Sequence, residues 1–170
     1  LFPVITDDDQ LIMIDPSDFN TEIANFRFPR MEKSGGRSIA DYFKADGDII
    51  GVQAVTIGRK LSDRCREYFH KEDRYSNGFF LNALGNFIVE NLAEKITTEI
   101  RRAMGISADI GRRYSFGYPG LPSLEEQRKL FDIMGVEDRL DIVLTSGFQM
   151  EPEHSTMGIF VHHPSAEYLI

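Results

Sequence analysis

Asp48-Ile49-Ile50-Gly51-Val52-Gln53-Ala54-Val55-Thr56-Ile57-Gly58 is the stretch on which the fold turns. It is almost continuously apolar and rich in β-branched residues, the pattern of a central strand covered on both faces. Such a strand needs layers above and below it, and the flanking sequence supplies them. On its N-terminal side, Lys44 to Gly47 reads as a turn, and Ser38-Ile39-Ala40-Asp41 as the capped start of a short helix through Phe43. Further back, Leu1 to Ile5 and Leu11 to Ile14 read as strands joined across Asp7, Asp8 and Asp9. That acidic triplet is a solvated hairpin turn or a cation site, and it lacks the glycine and spaced ligands of a calcium loop.

On the C-terminal side, Lys60 to about Asp73 has helical composition, and Cys65 and His70 within it read as packing residues. The longest predicted helix runs from about Gly78 to Met104, with Leu81, Leu84, Ile88, Leu92, Ile96 and Ile100 as its core-facing stripe. A second face carries Phe80, Ala83 and Phe87 and continues as Glu90, Asn91 and Glu94. Either the helix emerges into water there, or a carboxylate stands at the rim of an apolar site suited to a cationic or hydroxyl-bearing ligand.

Gly111-Arg112-Arg113-Tyr114-Ser115-Phe116-Gly117-Tyr118-Pro119-Gly120-Leu121-Pro122 has the glycine and proline density of a stiff, exposed loop. Its arginines offer planar forks for a carboxylate and its tyrosines flat faces with a hydroxyl, so it reads as a binding loop. Ser123 to Glu126 predicts a capping box for a helix through Met134 that ends at Gly135. Strands are expected at Leu144 to Met150, Met157 to Val161 and Glu167 to Ile170. The whole predicts an α+β fold, a mostly antiparallel twisted sheet with helices in a single domain over residues 1–170.

Composition bounds the chemistry. The 170 residues are 42% hydrophobic and 27% charged, as in an ordinary globular domain able to build a core without staples. The single cysteine excludes an internal disulfide framework and multi-cysteine metal sites, and points to a reducing cytoplasm. A formal charge of −8 opposes binding to a phosphate backbone, so no nucleic acid is expected as a partner. No apolar run is long enough for a membrane span, and no signal peptide is visible. Leu1 is not an initiator methionine and the chain stops on Tyr168-Leu169-Ile170, so both ends are expected to be cut from a longer polypeptide. No G-x-G-x-x-G, Walker loop, G-x-S-x-G or H-E-x-x-H occurs, and His162 and His163 are expected on opposite strand faces. The residues offer a binding loop and a carboxylate without a protein nucleophile.

Several motifs occur in a particular order: Arg113-x-x-x-Gly117-Tyr118-Pro119, Leu144-Thr145-x-x-Phe148-x-Met150-x-Pro152, Ser155-x-x-Gly158 and His163-Pro164-x-x-x-Tyr168. With Leu1-Phe2-Pro3, Ala40-Asp41-Tyr42-Phe43 and Ala54-Val55-Thr56-x-Gly58 before them, they resemble the reactivation domain of cobalamin-dependent methionine synthase over nearly the whole chain. The resemblance implies a methyltransferase component that binds S-adenosylmethionine and supports reductive methylation of inactive cob(II)alamin to methylcobalamin. The cobalamin would be carried by a partner module of methionine synthase, and the electron would come from a flavodoxin-like or other low-potential reductase. The chemistry then belongs to the cofactor, which accounts for the missing nucleophile.

By the same resemblance, the S-adenosylmethionine-binding residues fall on Glu90, Arg113, Ser115, Gly117, Tyr118, Tyr168 and Leu169. Arg113 would grip the methionyl carboxylate, Glu90 the ammonium or a ribose hydroxyl, and the tyrosines the adenine or sulfonium. The family's N-terminal segments, with an aspartate that contributes to this site, and its tail beyond Tyr168 have no counterpart in these residues. A non-catalytic ligand-sensing or assembly module with the same fold is the alternative reading.

Overall fold

The computed structural model describes residues 1–169, leaving Ile170 outside the described residues. Its centre is a six-stranded sheet in the order β3-β2-β1-β4-β8-β5, with every pairing antiparallel. The strands are β1 (Phe2–Asp7), β2 (Gln10–Ile14), β3 (Glu22–Arg27), β4 (Asp48–Thr56), β5 (Arg112–Ser115) and β8 (Ser155–Val161). The α+β antiparallel architecture expected from the sequence is the one observed, and the apolar Asp48–Thr56 stretch is its central strand. β4 pairs with β1 on one side and β8 on the other, which makes the domain continuous across both halves of the sheet.

Side chains alternate along β4, so one sheet face meets helix α2 (Tyr75–Met104) and the other meets the main core. That core gathers Val4, Leu11, Phe28, Ile39, Ile50, Tyr114, Leu130, Phe131, Met157 and Leu169 beneath α3 (Gln127–Met134) and α4 (Val136–Leu140). A smaller cluster of Val55, Val89 and Ala93 joins β4 to α2. Helix α1 (Arg59–Phe69) packs against the first half of α2. In the acidic turn Asp8 adopts φ +53, and Asp9 and Asp8 pair with Arg27 and Arg30, at 3.1 and 2.7 Å.

Several expectations are corrected. The predicted core stripe of α2 is not its buried face: Leu84, Ile88, Leu92 and Ile96 are exposed, and Gly78, Gly85, Val89, Ala93, Thr97 and Arg101 face inward. Small residues at i, i+4 spacing let the helix approach closely, and a methyl on Gly85 would lie 2.5 Å from Leu61 and 2.6 Å from His154 Nε2. The loop expected from Gly111 begins as an edge strand, because Arg112–Ser115 find ladder partners in Gly158–Val161. The strand expected at Leu144 to Met150 is a tight hairpin between β6 (Val143–Leu144) and β7 (Met150–Glu151). No strand forms over residues 167–169, and His70 is exposed instead of packed. Ser123 makes no capping hydrogen bond, whereas Ser38 and Asp41 form the capping box predicted for them. Among the described residues, no helix is long and apolar enough to cross a membrane.

Candidate functional site

Arg113 is the second residue of β5, opposite Phe160 of β8. Residues alternate across a strand, so the Arg113 side chain turns toward α2 while Tyr114 turns the other way into the core. The Arg113 guanidinium is held from two sides. Nη1 donates to Ser115 Oγ at 3.0 Å, and Nη2 donates to the carboxylate of Glu90 on α2. Arg113 is mostly sheltered, its side chain 15% exposed, while the Glu90 side chain is 58% exposed. The face of α2 that carries Phe80, Ala83, Phe87 and Glu90 lies in water and lines no closed apolar pocket. It delivers a carboxylate to a specific arginine.

The backbone beyond Ser115 makes two successive turns. Tyr118 N–H donates to Ser115 O and Leu121 N–H to Tyr118 O, both at 3.2 Å, with Gly117 (φ +96) and Gly120 (φ +82) at the third turn positions. A positive φ there is what a type II turn demands, which explains glycine at both sites and Pro119 between them. A side chain at Gly117 would meet nothing within 4 Å, so the main chain around it is open to a ligand. These turns set Tyr118 beside Tyr168, with ring centroids 6.4 Å apart and an interplanar angle of 32°. Both tyrosines are more than half exposed.

Tyr168 is anchored through its phenol, which donates to Arg113 O at 3.2 Å. The reverse contact comes from Tyr114, whose phenol donates to Glu167 O at 2.7 Å. Residues 113–114 and 167–168 thus exchange hydroxyl–carbonyl bonds, and the Tyr114 and Tyr168 rings meet edge-on at 5.4 Å. Burial pushes the Tyr114 phenol well above its ordinary range, with Tyr42 and Tyr168 adding to the effect. Tyr114 is the supporting residue that the sequence reading passed over. Its signal was the alternation Arg113-Tyr114-Ser115, legible only once the segment is known to be a strand.

Of the expected site residues, Glu90, Arg113, Ser115, Gly117, Tyr118 and Tyr168 come together on this surface. Leu169 does not present its side chain there; it is buried in the main core near Ile39 and Gly120. A groove of about 640 Å³ lies elsewhere, lined by Phe2, Pro3, Ile5, Ile14, Phe19 and Ile49. Histidines 162 and 163 diverge: His162 Nε2 lies 3.1 Å from Asp48, and the His163 ring packs on Tyr42 at 5.5 Å. Among the described residues, no cluster of His, Cys, Asp and Glu could hold a metal ion.

The family described as "Vitamin B12 dependent methionine synthase, activation domain" matches residues 1–170. The chain belongs to this family. Among its relatives are the methionine synthases of Mycobacterium tuberculosis, 26% identical, and Mycobacterium leprae, 25% identical, each over 195 aligned residues and 98% of this chain. The chain spans 16% of the length of either. A crystal structure of the MetH reactivation domain bound to AdoHcy superposes with a TM-score of 0.86 at 24% identity, covering 98% of this chain and 58% of that one. At that identity the likeness speaks for the fold. This activation domain therefore shares a scaffold with a ligand-bound relative, and its own ligand is a matter for the residues just described.

Proposed function

We propose that this activation domain binds S-adenosylmethionine beside the Arg113–Glu90 pair and presents its methyl group to a corrinoid carried by another module of methionine synthase. The observation that carries the reading is the contact of a guanidinium and a carboxylate on one surface, flanked by two exposed tyrosine rings. That donor set fits a zwitterionic amino-acid end attached to a flat base. The ligand carboxylate would share the Arg113 fork, and its ammonium would take Glu90. Tyr118 and Tyr168 offer π faces to the adenine or the sulfonium. Ser115 holds the fork in orientation, the open backbone at Gly117 admits close approach, and any contribution from Leu169 would come from its main chain.

The corrinoid supplies the metal-centred redox chemistry, in which cob(II)alamin, one electron and the sulfonium methyl become methylcobalamin and S-adenosylhomocysteine. The protein's part is to bind, orient and shield the sulfonium. A flavodoxin-like or other low-potential reductase would deliver the electron. A reducing cytoplasm is the proposed setting, consistent with a lone, buried cysteine.

Isothermal titration with S-adenosylmethionine tests the site. Loss of a charged hydrogen-bond partner is worth ~1.5–3 kcal/mol, so Arg113→Ala should weaken binding by about 10- to 100-fold. No heat from the intact protein, or unchanged affinity in the variant, sinks the assignment. Adding the cobalamin module and a low-potential reductant should then produce methylcobalamin absorbance. Binding without methylation would instead mark a sensing or assembly module.

A further inference from the structure

Arg101 stands in the last turn of α2, yet it is a buried residue, 8% exposed. A guanidinium leaves water at little cost only where its donors are matched, and this one is matched from three directions. Nε donates to Ile110 O at 2.9 Å and Nη2 to Gly111 O at 3.3 Å, so the fork holds the two carbonyls that lead into β5. Nη1 donates to Glu94 Oε1 at 3.2 Å, which draws the side chain back along α2 toward its N-terminus. The group also lies over the Phe160 ring, 5.1 Å from its centroid, and Phe160 is the ladder partner of Arg113. One side chain thus joins the helix, the entry to β5 and the strand beside it.

The joint it closes needs an outside constraint. Gly111 adopts φ +80 and lies so near β8 that a methyl there would stand 2.5 Å from Val161 O and 2.6 Å from the Phe160 ring. Glycine is required for that approach, and glycine leaves the backbone free to pivot. The carbonyls of Ile110 and Gly111 belong to the peptide planes on either side of the pivot. Gripping both fixes φ and ψ of Gly111, and with them the direction in which β5 carries Arg113. A planar fork can span two carbonyls in this way, whereas an ammonium is a point charge.

On α2, Arg101 is eleven residues from Glu90 and about 20° away around the helix axis. The same helix face therefore meets β5 twice, through the Arg113 side chain at Glu90 and through the main chain at Arg101. The Glu90 contact is the one that a zwitterionic ligand would open, as its carboxylate takes Arg113 and its ammonium takes Glu90. The Arg101 contact involves no group that such a ligand uses, so it can keep the spacing when the pair parts.

We infer that Arg101 is a positioning residue: by fixing the peptide planes around Gly111 it sets the Arg113 fork against Glu90 and holds the two poles at the spacing of an amino-acid ligand. The consequence for ligand binding rests on the S-adenosylmethionine reading, and the positioning of Arg113 does not.

Arg101→Met removes the fork, and Arg101→Lys, which keeps a charge beside Glu94, carries the test if the methionine variant fails to fold. In 15N NMR of the ligand-free chain, the Arg113 Nη protons should be resolved while Ser115 and Glu90 hold them, and should average to one signal in either variant. In calorimetric titration, S-adenosylmethionine should bind about 10-fold more weakly, the low end of what supporting residues contribute at metal sites. 5′-Methylthioadenosine, which has the base and lacks the amino-acid end, should bind within about twofold of its affinity for the intact chain, since its contacts lie outside the Arg113–Glu90 pair. A residue that merely stabilises the fold would lower the melting temperature and leave the ratio of the two affinities unchanged. That result overturns the proposal, as do Arg113 signals that stay resolved in the variants. If the intact chain binds no S-adenosylmethionine, that reading fails, and the Arg113 signals still decide whether Arg101 positions the fork.

Discussion

Tyr114 joins stability to alkaline titration. Its ring is buried in the main core and its phenol donates to Glu167 O. Because burial raises the folded-state pKa above the ordinary value of 10.0, the folded chain keeps its proton where the unfolded chain loses it. That contribution is fully present below pH 10 and is lost as the pH rises further. Tyr114→Phe should cost about 0.5–1.5 kcal/mol at neutral pH through the lost hydrogen bond. It should also flatten the alkaline limb of a stability–pH curve from urea melts, and an equally steep limb in the variant would contradict the assignment.

Asp41 works at the acid end. Burial raises its pKa, but the Arg30 guanidinium and the Ser38 N–H outweigh burial and hold it below the ordinary 3.8. Its contribution is therefore present above pH 3.8 and disappears as the pH falls through the lower folded value. Asp41→Asn takes the charge from the capping-box acceptor and leaves one oxygen where two now hold Arg30 and Ser38 N–H, at a cost of about 0.5–2 kcal/mol at pH 7. Thermal melts at pH 7 and pH 3 should show that difference narrowing in acid.

At the scale of elements, α2 shows what periodicity reveals and what it conceals. The helix was legible because large apolar residues recur every three or four positions. Its orientation was not, because the ridge that meets the sheet is built from Gly85, Val89, Ala93 and Thr97, whose small side chains give little hydrophobic signal. Gly85→Ala tests that close approach. Alanine favours a helix interior by about 1 kcal/mol over glycine, yet its methyl would press on Leu61 and His154. His154 is fixed at both ring nitrogens, by Ser62 at 2.9 Å and Asn82 at 3.0 Å, so it yields poorly. Overpacking should prevail, with net destabilisation of about 1–3 kcal/mol by denaturant unfolding. A stabilised variant would show that the helix can simply lift.

Strand β5 illustrates a different limit. Nothing local marks Arg112–Ser115 as a strand, since its partner, β8, lies more than forty residues further along the chain. The binding character of the same segment was readable from arginine, tyrosine and glycine chemistry. Which carboxylate would meet Arg113 depends on where α2 crosses the sheet, a tertiary fact that the chain does not display locally.

For the whole molecule, the exchanged bonds between residues 113–114 and 167–168 have a dynamic consequence. Among the described residues, 165–169 have no ladder of their own, so their main-chain order is borrowed from the strand that carries the arginine fork. The two should open as one cooperative unit, and anything that steadies Arg113 steadies the tail by the same free energy. Amide hydrogen exchange across residues 165–169 should slow when S-adenosylmethionine is added, and Tyr168→Phe should weaken that coupling while sparing most of the fold. Residues 165–169 would then act as a reporter of occupancy, readable from outside the site.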